Sequence, residues 1–419
     1  MKYGLIGETL GHSFSPVIHN RIGDYPYELC ELSRDALDSF MKKREFAGIN
    51  VTIPYKKAVL PYLNEISEEA KAIGAVNTVV NKDGRLYGYN TDFAGLKALL
   101  LRITGGKRLG GKALVLGTGG TSLTAVAALT ALGATDVIRV SRQGKDGACT
   151  YEEASRLHRD AVFLCNCTPC GMFPSDKQMP PLSLDDFPAL IGVADAIYNP
   201  LRTLLVKEAQ KRGIKAEGGL YMLVAQAVHA AELFLDKPLS PRLTDTIHAS
   251  LLRDKENVVL IGMPASGKSS VGQALAKRLG KPFYDIDTEI VKTAGRDIPT
   301  LFQTVGESGF REIEAEVTAV LAARAEGAVI ATGGGTVLRR DNVDALKANG
   351  RLFFLDRPLS LLIPTDDRPL SSDKESLTRR YNERYPLYCE VCDERIVSEG
   401  TVEETTDALW RLITKEPGL

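Results

Sequence analysis

Short apolar runs alternate with segments of helical period along the whole chain. That pattern predicts strands and helices in turn, and hence parallel sheets with helices on both faces. Two of the runs are distinguished by a glycine-rich turn at their ends. Ala113–Leu116 leads into the turn GTGGTS, Gly117 to Ser122, and then into an Ala/Leu-rich helix from about Leu123 to Leu132. Val258–Ile261 leads into GMPASGKSS, Gly262 to Ser270, and a helix from about Val271 to Leu279. Each reads as the opening strand–turn–helix unit of a nucleotide-binding lobe. Residues 1–92 have an α/β pattern of their own, with strands predicted in LIG, GINVTIP and AVNTVV. Three α/β lobes result. The main boundary is expected between Leu252 and Val258, where Arg253–Asn257 is charged and lacks apolar periodicity: a short linker over 253–257.

Composition narrows the class. The 419 residues imply two to three domains at roughly 150 residues each. Lys+Arg number 52 and Asp+Glu 53, a net charge of −1, which excludes a strongly basic nucleic-acid binder. No run of about 18 apolar residues occurs, so no membrane span is expected. The N-terminus MKYGLIGETLGHSF turns polar too soon for a signal peptide. Seven cysteines, an odd number thinly spread, suit a reducing compartment, and a cytoplasmic location is expected. Cys165, Cys167 and Cys170 cluster, and Cys389 and Cys392 form a CxxC. A zinc site is one reading of these; small buried or loop residues are the other, favoured by the distance between the clusters.

Gly262-Met-Pro-Ala-Ser266-Gly267-Lys268-Ser269 has the P-loop spacing between a strand and a helix. Its glycines let successive N–H groups face phosphate oxygens, Lys268 reaches the outer phosphates, and Ser269 is a Mg²⁺ ligand, with Ser270 next in the turn. Beyond it come Asp285 and Asp287 at the end of a predicted strand, Gly306-Glu-Ser-Gly-Phe310-Arg311, Gly333-Gly334-Gly335, Arg368-Pro-Leu and Arg384-Tyr-Pro-Leu-Tyr388. Singly, the aspartates could be helix caps and the arginines solvated surface. Together, two arginines can clamp a carboxylate and an aspartate can orient a hydroxyl nucleophile. On these motifs residues 257–419 resemble shikimate kinase. The resemblance implies that Asp287 contacts the ring hydroxyls and helps activate the 3-hydroxyl of shikimate, and that Arg311 and Arg384 bind its carboxylate. It makes Gly333, Gly334 and Gly335 the pocket wall, puts Asp285 in the Mg²⁺ shell, and brings Arg368 from a lid to the transferring phosphoryl group. The chain departs from the family at Ser360–Asp367, a shortened lid approach without the arginine that often stacks on adenine; Arg357 lies nearby.

In the first half, Gly117, Gly119 and Gly120 fit a dinucleotide turn, with Thr121 next and Ser122 where a third glycine is usual. After the next strand stand Ser141 and Arg142, with Lys145 near. An arginine there suits a 2′-phosphate and favours NADP over NAD; a solvated basic turn is the other reading. Earlier lie Gly11-His12-Ser13-Phe-Ser15-Pro16, a helix carrying His19, Asn50-Val-Thr52-Ile-Pro-Tyr-Lys56 as a strand ending in lysine, Asn77-Thr78 and Asn90-Thr-Asp92. A lysine and an aspartate in one cleft can act as a general acid–base pair. Asn166-Cys-Thr168-Pro-Cys-Gly-Met172, Asp195-Ala-Ile-Tyr198-Asn-Pro and Gly219-Leu-Tyr-Met-Leu-Val-Ala-Gln226 complete the set.

On these blocks residues 1–252 resemble shikimate dehydrogenase. The resemblance implies Lys56 and Asp92 as the catalytic pair, Ser13 and Ser15 on the substrate carboxylate, and Thr52, Asn77 and Gln226 on the hydroxyls. Tyr198 closes over the substrate. Asn166, Thr168 and Met172 line the nicotinamide side, with Gly219 also at the cofactor; His12 and His19 are framing residues rather than metal ligands. The implied architecture is a substrate lobe of residues 1–92 and 220–252, a Rossmann NADP lobe of 93–219, and a P-loop kinase domain of 258–419 with a parallel sheet. The product of the first reaction would be the substrate of the second: 3-dehydroshikimate is reduced with NADPH to shikimate, which MgATP then phosphorylates. The expected partners are these small molecules, without nucleic acid or membrane, and an oligomer is compatible with the sequence. Two alternatives stand beside this reading: a quinate/shikimate dehydrogenase joined to another small-molecule P-loop kinase, and a nucleotide-sensing scaffold without catalysis.

Overall fold

In the computed structural model, which describes residues 1–11, 13–173, 175–362 and 374–414, the apolar runs become the strands of three sheets. Two lie in a unit of residues 1–250 and the third in a unit of residues 251–419.

The first sheet joins β1 (Tyr3–Gly7), β2 (Glu28–Glu31), β3 (Gly48–Val51), β4 (Glu65–Ile66), β5 (Thr78–Lys82) and β6 (Arg85–Tyr89) in the order β2-β1-β3-β5-β6-β4. It is mixed, which corrects the expectation of parallel sheets throughout: β5 runs antiparallel to both β3 and β6. Only Asp83 and Gly84 separate β5 from β6, too few for a crossover helix. Both take positive φ, 51° and 83°, as a two-residue hairpin turn requires. The predicted strand through Lys56 also ends early, at Val51. Pro54 has no N–H for a ladder, and Tyr55 turns into the lobe's core with its hydroxyl on the Leu32 carbonyl at 2.5 Å. Lys56 is therefore held on a turn pinned by a buried tyrosine.

The second sheet is parallel, in the order β11-β10-β9-β7-β8, from β7 (Lys112–Leu116), β8 (Asp136–Val140), β9 (Phe163–Asn166), β10 (Gly192–Asp195) and β11 (Lys215–Glu217). The chain goes one way from β7 to β8 and returns across β7 to β9. That reversal opens a crevice beyond the carboxyl ends of β7 and β9, where the Gly117 turn lies. Helices Thr91–Thr104 and Leu220–Leu235 cross closely: a Cβ at Gly95 would come within 2.6 Å of the Met222 carbonyl oxygen. This glycine lets Asp92 and Gln226 approach one cleft.

The third sheet is also parallel, β13-β14-β12-β15-β16, from β12 (Asn257–Ile261), β13 (Phe283–Asp285), β14 (Val329–Ala331), β15 (Gly350–Asp356) and β16 (Glu394–Val397). Its first strand, β12, has β14 on one side and β15 on the other, again a reversal with a glycine loop at its end. At the expected linker 253–257 the flanking elements are nearly contiguous: a helix runs Leu243–Lys255 and β12 starts at Asn257. Asn257 starts the strand early because its buried side chain bonds the Ala325 carbonyl and the Ala328 N–H, both at 2.9 Å.

Candidate active sites

A cleft of about 530 Å³ within residues 1–250 gathers Ser13, Ser15, Thr52, Lys56, Asn77, Asp92, Thr121, Tyr198, Gly219 and Gln226 on its walls. The Lys56 ammonium donates to Asp92 Oδ2 at 2.5 Å, both side chains partly open to the cleft. Asp92 sits in the first turn of its helix, whose N-terminal dipole favours a carboxylate. Asn90 caps that helix, accepting from the Phe93 N–H at 3.1 Å and donating to the Ala75 carbonyl at 3.0 Å.

Behind this pair runs a buried polar relay. Asn77 Oδ1 accepts from the Thr91 N–H at 2.6 Å, and the Thr91 hydroxyl lies 3.0 Å from that of Thr78 and 3.4 Å from Gln226 Oε1. Asn50 donates to Thr78 Oγ1 at 3.0 Å and accepts from the Tyr27 hydroxyl at 2.7 Å. Each amide is thereby fixed in one orientation before any ligand arrives. Asn50 and Thr91 were not singled out from the sequence, though both lie inside the motifs that carry Lys56 and Asp92. His19 stacks on Tyr27 with ring centroids 3.7 Å apart and meets the Tyr25 hydroxyl at 2.6 Å. Burial pushes its pKa down to about 3, so the ring is neutral. His12 lies outside the described residues.

The remaining residues proposed for the cofactor sit beyond the ends of β7 to β10 rather than on the cleft wall. Gly117 has φ 111°, and a Cβ there would press on the Cys167 carbonyl and the Thr168 methyl at 3.3 Å. At Gly119 and Gly120 a Cβ would meet nothing within 4 Å, so the turn leaves open space at a helix N-terminus. Ser122 is fully buried and spends its hydroxyl on the Gly119 carbonyl at 2.6 Å, shaping the turn instead of facing outward. Ser141 follows β8 and accepts from the Gly144 N–H at 3.1 Å, beside exposed Arg142. Asn166 is fully buried: it accepts from the Thr168 N–H and hydroxyl at 3.0 and 2.7 Å and donates to Asp195 at 3.0 Å. Asp195 also takes the Ile197 N–H and the Thr203 hydroxyl, and burial raises its pKa to about 6. Met172 is exposed. The Cys165 and Cys167 sulfurs lie 3.8 Å apart, and no group of three metal-ligating side chains occurs among the described residues.

In residues 251–419 the loop after β12 curls with positive φ at Gly262, Ala265 and Gly267. Lys268 is buried, its ammonium held by the Gly262 and Met263 carbonyls at 3.0 and 2.8 Å. Ser266 Oγ is buried in this loop with no hydrogen-bond partner. Ser269 donates to Asp285 Oδ2 at 2.6 Å, while Asp285 Oδ1 caps the helix Ile286–Ala294 through the Asp287 N–H at 3.0 Å. Asp287 is thus on the first turn of that helix, which corrects its expected place on the strand. Ser270 is exposed on the helix Lys268–Leu279 that follows the loop.

The glycine triplet brings the other residues together. A Cβ on Gly333 would lie 2.9 Å from Asp287 Oδ1, on Gly334 2.6 Å from the Pro264 ring, and on Gly335 2.3 Å from the Arg311 guanidinium. Gly306, with φ 70°, breaks the long helix Ile298–Arg324, and the segment after it carries Arg311. Arg311 pairs with Glu314 at 2.7 Å and Glu307 at 3.3 Å; Glu314 is buried and also takes the Thr336 hydroxyl. Arg384 donates to the Gly334 carbonyl at 3.0 Å, as Tyr388 does at 2.5 Å. Glu314, Thr336 and Arg380 were missed in the sequence because nothing local marks them; only the fold brings Glu314 and Thr336 to the triplet. Arg368 and most of the shortened lid fall outside the described residues.

Comparison with known proteins finds two families along the chain. Residues 5–79 match the family described as shikimate dehydrogenase substrate binding domain, and residues 264–414 the shikimate kinase family. A shikimate dehydrogenase (NADP(+)) of Clostridium beijerinckii is 38% identical over 266 residues, 59% of this chain and 96% of that protein. The crystal structure of the Thermus thermophilus shikimate 5-dehydrogenase in complex with NADP(H) and shikimate is similar at TM-score 0.53 and 32% identity, covering 60% of this chain and 99% of that one. A quinate dehydrogenase from Corynebacterium glutamicum in complex with NAD is similar at TM-score 0.54 and 26% identity, over 60% of this chain and 98% of its own.

Proposed function

The chain belongs to the shikimate dehydrogenase family in its first part and carries a shikimate kinase domain in its second, and from that premise we propose a bifunctional enzyme that reduces 3-dehydroshikimate with NADPH and phosphorylates the shikimate formed with MgATP. The observation that carries this reading is that two sites of unrelated construction, in one chain, both point to one metabolite. We assign the substrate lobe to residues 1–92 and 220–252, the NADP lobe to 93–219 and the kinase to the rest of the chain.

Both nucleotides suit the residues available. The open space over Gly119 and Gly120 suits a pyrophosphate, and Arg142 after β8 suits a 2′-phosphate better than the ribose diol of NAD, which favours NADP and a shikimate dehydrogenase over the quinate enzyme. The unpartnered Ser266 hydroxyl inside the glycine loop suits a phosphate oxygen, and Ser269 with Asp285 suits the Mg²⁺ shell. When bound, NADPH supplies reducing equivalents and MgATP the phosphoryl group.

In the cleft, Lys56 gives its proton to the 3-oxygen as the ketone is reduced, and Asp92 holds the ammonium in position. Ser13 and Ser15 take the carboxylate, while Thr52, Asn77 and Gln226 hold the hydroxyls and Tyr198 shuts out water. In the kinase, Asp287 orients the 3-hydroxyl, Arg311 and Arg384 hold the carboxylate, and Lys268 exchanges its carbonyl partners for phosphate oxygens. Arg368 is assigned to the phosphoryl group. The intact Lys56–Asp92 pair and Lys268 speak against a retired scaffold. Among the described residues no helix is long and apolar enough to cross a membrane. A coupled assay decides the matter: 3-dehydroshikimate and NADPH should yield shikimate without MgATP and a shikimate phosphate with it. Accumulation of unphosphorylated shikimate under MgATP would remove the kinase half of the reading.

A further inference from the structure

The helix Lys374–Val391 presents a stripe at four-residue spacing, Arg380, Arg384 and Tyr388, which puts all three on one face. The lower two end on the same atom, the Gly334 carbonyl of the pocket wall. Arg380 is the upper member, one turn further along. Its Nε is buried and has no hydrogen-bond partner. An unpartnered guanidinium nitrogen inside a protein costs free energy, and such a group is expected to meet an acceptor in the working state. The charge around it points the same way. Arg311, across the pocket, is neutralised by Glu314 and Glu307. Burial and the positive charges of Arg384, which itself bonds a neutral carbonyl, and Arg379 disfavour the charged form of Arg380; Glu307 and Glu383 act in the opposite sense. At Arg380 the like charge of Arg384 outweighs either carboxylate taken singly, a repulsion that an anionic ligand relieves.

We propose that Arg380 is a third arginine of the acceptor pocket, binding the carboxylate of the kinase substrate together with Arg384 and Arg311. This rests on the kinase function proposed for residues 251–419. Its consequence is a site that selects a carboxylate-bearing acceptor over a neutral analogue more sharply than Arg311 and Arg384 alone would.

The test is steady-state phosphorylation by the full chain, comparing wild type with R380L, R380Q and R380K, using shikimate and its methyl ester, the ester read as KM or as a competitive Ki. Loss of one charge-assisted contact should raise the KM for shikimate roughly tenfold in R380L and R380Q. R380K should recover part of it. The KM for ATP, the ester constant and the NADPH-dependent rate should stay within about twofold, the last reporting that the chain is folded. If R380L fails to fold, R380Q carries the same expectation. An equal change for acid and ester, a change confined to ATP, or no change overturns the role of Arg380 while leaving the kinase intact. A wild type that phosphorylates no shikimate overturns the kinase reading and this proposal together.

Discussion

In the cleft of residues 1–250 the groups offered to substrate are hydroxyls and amides, with a single lysine already matched by an aspartate. In the kinase unit the groups around the glycine triplet are guanidiniums, and the carboxylates beside them only partly balance their charge. If both sites take shikimate, one molecule is recognised twice by opposite strategies. The dehydrogenase cleft fixes neutral polar groups through a buried relay, so orientation is settled in advance. The kinase pocket keeps charge in reserve and lets the anion complete it. Predictions that separate the two strategies also test whether the sites are independent.

The largest effects belong to the two lysines. Lys56→Ala removes the proposed proton donor and should cut NADPH oxidation by about 10²–10⁴-fold, with shikimate phosphorylation unchanged. Lys268→Ala removes the cation proposed for the phosphates and should cut phosphorylation by about 10²–10³-fold, with reduction unchanged. Each rate is read on the same preparation. If one substitution abolished both activities in a folded chain, the sites would not be independent.

The next contrast lies in the glycines. A Cβ at Gly119 meets open space, so Gly119→Ala should leave thermal stability alone and raise the KM for NADPH by roughly tenfold, because only the bound pyrophosphate would collide. At Gly335 the Cβ lands 2.3 Å from the Arg311 guanidinium, so Gly335→Ala must displace that side chain. It should destabilise the kinase unit by about 1–3 kcal/mol and weaken shikimate binding as well. A Gly119→Ala protein with a lowered melting temperature would mean that the cradle is already filled by protein.

These positions also show how much was legible in the sequence. The two glycine turns are local signals: a strand, a turn and a helix succeed one another within a short stretch, so the P-loop and the dinucleotide turn were readable. The Lys56–Asp92 pair was readable as a motif, but not the turn that carries it, because the burial of Tyr55 depends on the whole lobe. The mixed first sheet was hidden because Asp83-Gly84 was overlooked as a hairpin turn. Glu314, Thr336 and Arg380 were illegible for a different reason: the first two meet at the triplet only through the fold, and a glutamate or arginine in a helix looks like any solvated one. The charge without apolar period over 253–257 belongs in part to the last turn of the helix Leu243–Lys255, so regular structure runs almost to β12.

A smaller effect comes from Asp195. Its folded pKa of about 6 lies above the ordinary 3.8, because burial outweighs its three hydrogen bonds. The folded state therefore holds an extra proton between about pH 4 and 6, and the stability this confers is lost as pH rises through that window. His19, depressed from 6.5 to about 3, has the opposite sign: stability is lost as pH falls below about 6.5. Asp195→Asn should flatten the first slope, by at most about 3 kcal/mol for a shift near two units. Melting curves of residues 1–250 in the full chain, taken from pH 4 to 7, should show stability changing less favourably with rising pH in the wild type than in the variant. A steeper slope in the variant would mean that Asp195 is ionised throughout.

The mildest prediction bears most directly on the two strategies, because it uses one ligand at both sites. Shikimate can be supplied to the dehydrogenase with NADP⁺ and to the kinase with MgATP, and its KM measured as salt rises. The Debye length falls from about 10 Å at 0.1 M to about 3 Å at 1 M, so unbalanced charges weaken and neutral hydrogen bonds do not. Among the cleft groups assigned to the substrate carboxylate are only the Ser13 and Ser15 hydroxyls, and Lys56 is balanced by Asp92 at 2.5 Å, so this KM should hardly move. The kinase KM should rise by roughly two- to threefold, the scale of a partly exposed ion pair losing its attraction. Replacing Arg380 by glutamine should bring the kinase slope towards that of the dehydrogenase. Equal slopes at the two sites would show that the arginines are already neutralised by Glu307 and Glu314, and that both halves recognise the ring by hydrogen bonding alone.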